Sequence, residues 1–552
     1  MKRQFINRNT IAEDLTAGLV LGIQSIPDGL ANGLLALINP IYGLYGYMMG
    51  TFSGAFFTSS AFMSVQATSA MALVVASVPQ ITAGPDPNTT LFTLAILTGL
   101  LMLLAGLLKL GSLVRFVPNA VMTGFVNAVA VLIILGQLDD FTGYSSRGAN
   151  RIVRTIDLLL NLDQIHLPTL MVGILTIILI LTLEKTSLKS LGLVVAMVVA
   201  SLVVPLLGAN EVELVRDIAD IPGSLPRPVL PSLAAVPSLI IPALALTFVG
   251  LMQGASITQS ILNPDGRYPD ASRDFVGQGV ANIVSGLFQG TTVAGSLSAT
   301  ALVISAGARS RLANIFAGLV MALAIVLFGR FVGAIAMPSL AGLLIVVGFR
   351  TLKPAQIGMV WRTGAVQQAV MALTFSAAML LPLQYAVLLG VALAVMLFVF
   401  QQSNKVIVKA WEIDPGLYPV EREPPAVVPA GEVTILMPYG SLFYAAAPVF
   451  STQLPEVSDA TRQSVVILVL RGQTEVGSTF LNVLTRYAEQ LAEHESKLML
   501  AGVEPGVLTQ MKRTGISRAI GRANVFPASE AVGESLLQAI ETAELWIAAQ
   551  HQ

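Results

Sequence analysis

Residues 275–308 read FVGQGVANIVSGLFQGTTVAGSLSATALVISAGA, a stretch without a single Asp, Glu, Lys or Arg. An uncharged run of this length would leave a soluble core without a polar surface. It suits a bilayer, where a spanning helix needs about 20 predominantly apolar residues and satisfies its own backbone hydrogen bonds. The pattern repeats upstream, because no Lys or Arg occurs between Arg8 and Lys109. Over 552 residues only 11% are charged and 54% are hydrophobic, against about 25% charged in soluble domains. A polytopic α-helical membrane protein is expected. The net charge of −1 averages two unlike parts, and no nucleic-acid partner is expected. With no Cys and three widely spaced His (His166, His494, His551), neither a disulfide framework nor a thiolate metal site can form, and no cofactor or metal is expected.

Working outward, hydropathy marks about fourteen candidate spans between residues 15 and 401, of which the third (62–79) and the tenth (296–307) are too short or too polar for full crossings. The basic N-terminus followed by an apolar run reads as a retained first helix, since Pro27 and Asp28 interrupt it and no clean cleavage site follows. With that end inside, the pairs Lys109 with Arg115, Lys185 with Lys189, Arg267 with Arg273, and Arg309 with Arg311 fall on the cytoplasmic side. Arg350, Lys353 and Arg362 join them, while Glu211, Glu213, Asp217 and Asp220 fall outside. One loop departs from this rule: Arg147, Arg151 and Arg154 fall outside, and an external amphipathic segment near Asp139, Asp140 and Asp157 is the expectation there.

The composition changes after Phe400. The expected organisation is a transport domain over 1–403, a Pro-rich linker over 404–430 (with EREPPAVVPAG), and a cytoplasmic domain over 431–552. In the last, EVTILMPYG, SVVILVLRG and KLMLAGV read as strands, and TFLNVLTRYAEQLAEHES and SLLQAIETAELWIAA as helices, giving a small α/β domain.

Two segments in opposite halves echo each other: SVQATSA at 64–70 and SLSATAL at 296–302 share Ser, Ala and Thr at an offset of 232 residues. Gln24 and Gln253 repeat at nearly the same offset. Seven spans plus seven, with the third and tenth both short, is the arrangement of an inverted repeat, here roughly 10–208 and 236–403. Short helices that begin near the midplane aim their N–H groups and positive dipole ends at one place and form an anion site without a basic side chain. Ser64, Gln66, Ser296 and Ser298 add polar groups, and Ala67 and Ala299 allow close approach. Tight packing of small residues between helices is the alternative for any one of them. Asp28 follows Pro27 deep in the first span. A carboxylate there is costly and is a candidate proton-coupling group, the alternative being a helix-end carboxylate that faces water or a donor.

These residues carry a resemblance to the SulP, or solute carrier 26, family. SIPDGLANGLLALINPIYGLYG (25–46) is similar to its first-helix signature, and residues 248–318 resemble its eighth to eleventh helices, including the Gly-x-Gly-x-Ala-Asn run and the Ala-Gly-Ala-Arg turn. The C-terminal domain resembles STAS. The resemblance implies fourteen spans as a seven-plus-seven inverted repeat, with a core domain that holds substrate between helices three and ten. It also implies a gate domain of helices five to seven and twelve to fourteen, an elevator-like movement, and a homodimer in a plasma or bacterial inner membrane with both termini cytoplasmic. The implied site is lined by Gln24, Ser64, Val65, Gln66, Gln253, Ser296, Leu297 and Ser298. Three departures matter. Gln253 stands where many relatives carry an acidic residue, Ala299 stands where animal relatives often carry Arg, and TEVGSTF (474–480) lacks the acidic residue expected beside a phosphorylatable Ser478.

The leading expectation is secondary transport of a small anion of the sulfate, bicarbonate, chloride or dicarboxylate class, with H+ as a candidate coupling ion. An uncoupled exchanger or channel on the same scaffold is the first alternative. A membrane-anchored STAS signalling protein is the second, and a nucleobase permease is disfavoured by Gln253 and the tail domain. No Walker loop, HExxH or catalytic triad points to an enzyme.

Overall fold

The computed structural model describes residues 10–111, 118–148, 150–186, 188, 191–206, 211–218, 224–403, 405–413 and 418–550. Arg115, Lys189 and Asp220, the outer ends of the seventh candidate span (190 and 207) and parts of the expected linker (404, 414–417) lie outside these. The chain divides into two compact units, 1–394 and 395–552.

Among the described residues, the first unit is built from helices that match the candidate spans one for one. They are α1 (Ile11–Leu35), α2 (Pro40–Phe57), α3 (Ser69–Ala76), α4 (Pro87–Leu107), α5 (Asn119–Gly136), α6 (Leu167–Leu183) and α7 (Leu191–Leu206), followed by α8 (Val236–Ser260), α9 (Ala271–Leu287), α10 (Leu297–Ser305), α11 (Leu312–Val332), α12 (Met337–Thr351), α13 (Ala365–Leu380) and α14 (Leu383–Ser403). Among the described residues, five stretches are long and apolar enough to cross a membrane by length and composition alone: Pro87–Leu107, Asn119–Thr142, Leu233–Ser260, Leu312–Gly329 and Met337–Thr363. The 21 residues of α4 reach about 31 Å at about 1.5 Å per residue, the thickness of a hydrocarbon core.

The helices sort into two packed groups. In one, α9 lies against α4 and α2, α11 against α1 and α2, and α8 against α4. In the other, α5 packs on α12 and α13, and α6 on α7 and α12. These are the core and gate of the fold. Small residues let the backbones meet: a Cβ built on Gly43 of α2 would lie 2.1 Å from the Gly29 carbonyl oxygen of α1, a position closed to any side chain.

The expected short third and tenth spans are each part strand and part helix. Strand β1 (Ser64–Gln66) precedes α3, strand β2 (Ala294–Ser296) precedes α10, and the two strands pair. Thr68 and Ser296 start the helices, their hydroxyls accepting from the N–H of Met71 and Ala299.

The second unit is a six-stranded sheet, in the order β4 (Val420–Arg422), β3 (Ile407–Glu412), β5 (Val433–Tyr439), β6 (Val465–Val469), β7 (Lys497–Val503) and β8 (Val525–Pro527). Strands β5 to β8 are parallel, and β3 runs antiparallel to its two neighbours. All five residues of β6 are buried because both faces of the sheet are covered. Val466 and Leu468 pack with Phe480 and Leu484 of helix α15 (Ser478–Glu493), and Val465, Ile467 and Val469 with Leu536 and Ala543 of helix α16 (Glu534–Gln550). One element differs from expectation. Residues 407–412 and 420–422, read as linker, are strands, and β3 pairs with β5 from Ile407 opposite Tyr439 to Trp411 opposite Ile435.

Candidate functional site

The site is organised around the β1–β2 pair. Ser64 lies opposite Ser296, Val65 opposite Gly295 and Gln66 opposite Ala294, in antiparallel register. The two serines that echo each other in the sequence are therefore direct cross-strand neighbours. Because α10 follows β2 directly and α3 follows β1 after Ala67 and Thr68, the two helices leave from opposite ends of a ribbon three residues long, roughly 10 Å at about 3.4 Å per residue.

Buried amides fix this ribbon. Asn314 of α11 accepts the Ser64 hydroxyl at 2.7 Å and donates to the carbonyls of Phe62 and Met63. Asn282 of α9 accepts from Val293 N at 2.9 Å and donates to Val293 O at 2.6 Å, while Gln278 accepts from Gly295 N at 2.9 Å. The N–H of Ser64 donates to the Thr300 hydroxyl at 3.1 Å. Close approach completes the seat, since a Cβ on Gly50 of α2 would lie 2.7 Å from the Val65 carbonyl oxygen.

The structure divides the expected site residues into groups. Ser64, Val65, Gln66 and Ala67 are buried in the ribbon. Val65 packs on Gly54, and Gln66 donates to the Ser25 hydroxyl of α1 at 2.9 Å. Ala299 is buried in the first turn of α10, whereas Leu297 is 49% exposed, Ser298 is exposed and Ser296 is half-buried. Gln253 of α8 accepts the Thr68 hydroxyl at 2.9 Å, which ties α8 to the start of α3. Gln24 is half-buried, and its Oε1 is enclosed with no hydrogen-bond partner among the described residues.

One turn beyond Gln24 on the same face of α1 stands Asp28. Among the described residues its carboxylate makes no hydrogen bond or ion pair. Asn32 donates to the Asp28 backbone carbonyl and to the Tyr47 hydroxyl, at 2.9 and 2.8 Å. The structure thus brings α1, β1, α3, β2, α8 and α10 together.

Chemically, the first-turn N–H groups of Ser69 and Ala70, and of Leu297 and Ser298, precede their intrahelical ladders and carry the positive ends of two helix dipoles. An anion is the ligand such groups bind. Residues that hold this geometry and were not among the expected ones are Asn282, Asn314, Gln278, Thr68, Thr300 and Ser25. The available signal was an amide in the middle of an apolar run, GVANIVSG and RLANIFAG, where a polar side chain needs a partner.

Comparison with known proteins agrees with this architecture. YvdB of Bacillus subtilis is 24% identical over 528 residues, covering 94% of this chain and 97% of that one. The structure of murine solute carrier 26 member A9, an anion transporter captured in the inward-facing state, superposes with a TM-score of 0.86 at 18% identity, over 99% of this chain and 93% of that one. The transmembrane domain of the cyanobacterial bicarbonate transporter BicA superposes with a TM-score of 0.59 at 23% identity, over 71% of this chain and 99% of that one. These two similarities establish the fold of an integral membrane protein. A STAS domain matches residues 424–532, and the sulfate permease family matches residues 11–374. With that match spanning most of its length, the chain belongs to the sulfate permease family.

Proposed function

We propose that this protein moves a small anion across the membrane by secondary transport, with the anion held between the first turns of α3 and α10. The observation that carries this reading is a pair of capped helix starts, one at each end of a buried antiparallel ribbon, with Leu297 and Ser298 open at the second. The N–H groups of Ser69, Ala70, Leu297 and Ser298 supply the positive potential, with Gln24, Ser296 and Ser298 as side-chain contacts and Gln253 positioning α3. Ser64, Val65, Gln66, Ala67 and Ala299 form the rigid seat. Sulfate, bicarbonate, chloride and dicarboxylates fit a site of this kind. The core slides against the gate in an elevator-like step, both termini are cytoplasmic, and the protein works as a homodimer.

Asp28 is the proposed proton-coupling group, since it shares a helix face with Gln24 and has no fixed partner. An uncoupled exchanger is the second reading, favoured by one observation: Gln253 is neutral and already engaged with Thr68. Uptake of labelled sulfate, bicarbonate, chloride and fumarate into proteoliposomes, with and without an inward proton gradient, separates the two. Accumulation that needs the gradient and is lost in Asp28→Asn supports the symporter. Gradient-independent flux in both proteins would assign the exchanger, and no flux of any anion would sink the transport reading.

A further inference from the structure

A second cleft lies away from the ribbon, between the end of α1 and the end of α5. Its cavity volume is about 70 Å3, and it is lined by Leu34, Leu35 and Leu37 on one side, and by Gln137, Asp139, Asp140, Arg151 and Arg154 on the other. Three of its polar groups have no partner among the described residues. Gln137 is 3% exposed, and its Oε1 makes no hydrogen bond. The Arg151 guanidinium lies over Gly136 without an ion pair, and Asp140 has neither a hydrogen bond nor an ion pair. Burial first, and then the neighbouring Arg154, push Arg151 down to about 10, so it still carries its charge at neutral pH. Opposite charges left uncompensated in one cleft call for a ligand that bears both signs.

What surrounds the cleft identifies the source of that ligand. Arg151 and Arg154 belong to a helix, Arg151–Leu160, whose Val153, Ile156, Leu159 and Leu160 are exposed at 44, 51, 61 and 78%. This apolar face continues through Leu162 into the exposed stripe Leu167, Met171, Ile174, Ile178 and Leu181 of α6, a spacing that faces one side of a spanning helix. A helix with one apolar face, joined to the lipid-facing side of a span, lies in the membrane interface. The cleft therefore opens where phospholipid headgroups are.

We propose that this cleft binds the headgroup of an ethanolamine phospholipid, its phosphate on Arg151 and Arg154 and its ammonium on the Gln137 Oε1 and the Asp140 carboxylate. Guanidinium groups suit phosphate oxygens, and an N–H-bearing ammonium gives the amide oxygen and the carboxylate the donors they lack. A choline headgroup has no N–H to donate, and a glycerol headgroup has no positive charge. Because the cleft has one wall from the core helix α1 and another from the gate, an occupied cleft ties the lipid to both groups. The inference holds whichever anion is carried.

The test uses the full chain purified into nanodiscs or detergent, with retained lipid measured by native mass spectrometry. Lipids of identical acyl chains are compared: phosphatidylethanolamine, its mono- and dimethyl derivatives, phosphatidylcholine and phosphatidylglycerol. The unaltered chain is expected to retain phosphatidylethanolamine about tenfold over phosphatidylcholine, the ratio set by one charged hydrogen bond, with retention falling as methyl groups replace N–H. Asp140→Asn should reduce that ratio to within about twofold, whereas Arg151→Gln, which removes a phosphate contact common to both lipids, should lower the retention of both about tenfold and leave the ratio. Equal retention of the ethanolamine and choline lipids, or a preference for phosphatidylglycerol, would overturn the proposal. If either variant fails to fold, the headgroup series on the unaltered chain decides alone.

Discussion

Asn282 and Asn314 sit at 0 and 1% exposure in apolar helices, and each serves more than one backbone or hydroxyl group of the ribbon. Replacing Asn282 with Leu strands the Val293 N–H and carbonyl, at about 1–3 kcal/mol for each unsatisfied group. A lowered melting temperature in detergent is the expected outcome, with weaker anion binding by the folded fraction. Thermal unfolding and binding calorimetry would check it, and an unchanged melting temperature would show that water takes over the bonds. The charge-free character of this region was legible in the sequence, and so was the Ser64 and Ser296 echo. The partners were not, because hydropathy reports that a residue is apolar or polar but not what it touches. Val65 shows the limit: its side chain is buried against Gly54, a contact that hydropathy does not report.

Among the elements, α3 and α10 are short because each span spends its first residues as strand. Three-residue strands such as SVQ and AGS are too brief for a period of 2 to stand apart from a period of 3.6, so the sequence showed only that these spans were short. The position of β1 depends on α2. Gly50→Ala places a methyl group 2.7 Å from the Val65 carbonyl oxygen and forces ribbon or helix to shift, an overpacking penalty of about 1–3 kcal/mol. Reduced anion affinity with retained monodisperse elution is expected, and unaltered affinity would place the anion away from this ribbon. In the tail domain, IVKAWE was absorbed into a linker because it follows closely on the last span. Its alternating burial becomes visible only once β5 lies beside it.

At the scale of the molecule, the expected orientation leaves one loop at odds with the positive-inside rule. Arg147, Arg151 and Arg154 lie in and just before the amphipathic helix Arg151–Leu160, where Asp157 accepts from the Arg147 backbone N–H at 2.8 Å and Arg154 donates to the Gly148 carbonyl at 3.3 Å. The proposed orientation can be tested cleanly because the chain has no Cys. A cysteine at Asp163 should react with an impermeant maleimide added to intact cells, and one at Glu530 only after permeabilisation. The reverse pattern would invert the topology. The β1–β2 ribbon also has a consequence for how the protein is made. Its strands lie 232 residues apart in the chain, so at about 5–20 residues per second the ribosome delivers the second strand roughly 10 to 50 s after the first. Until then β1 has an unpaired edge inside the bilayer, and the start of α3 faces no partner. The first half of the chain must therefore wait, inserted but without its ribbon, and a nascent chain stalled before residue 294 would hold most of its helices and only one of the two helix starts proposed to bind the anion.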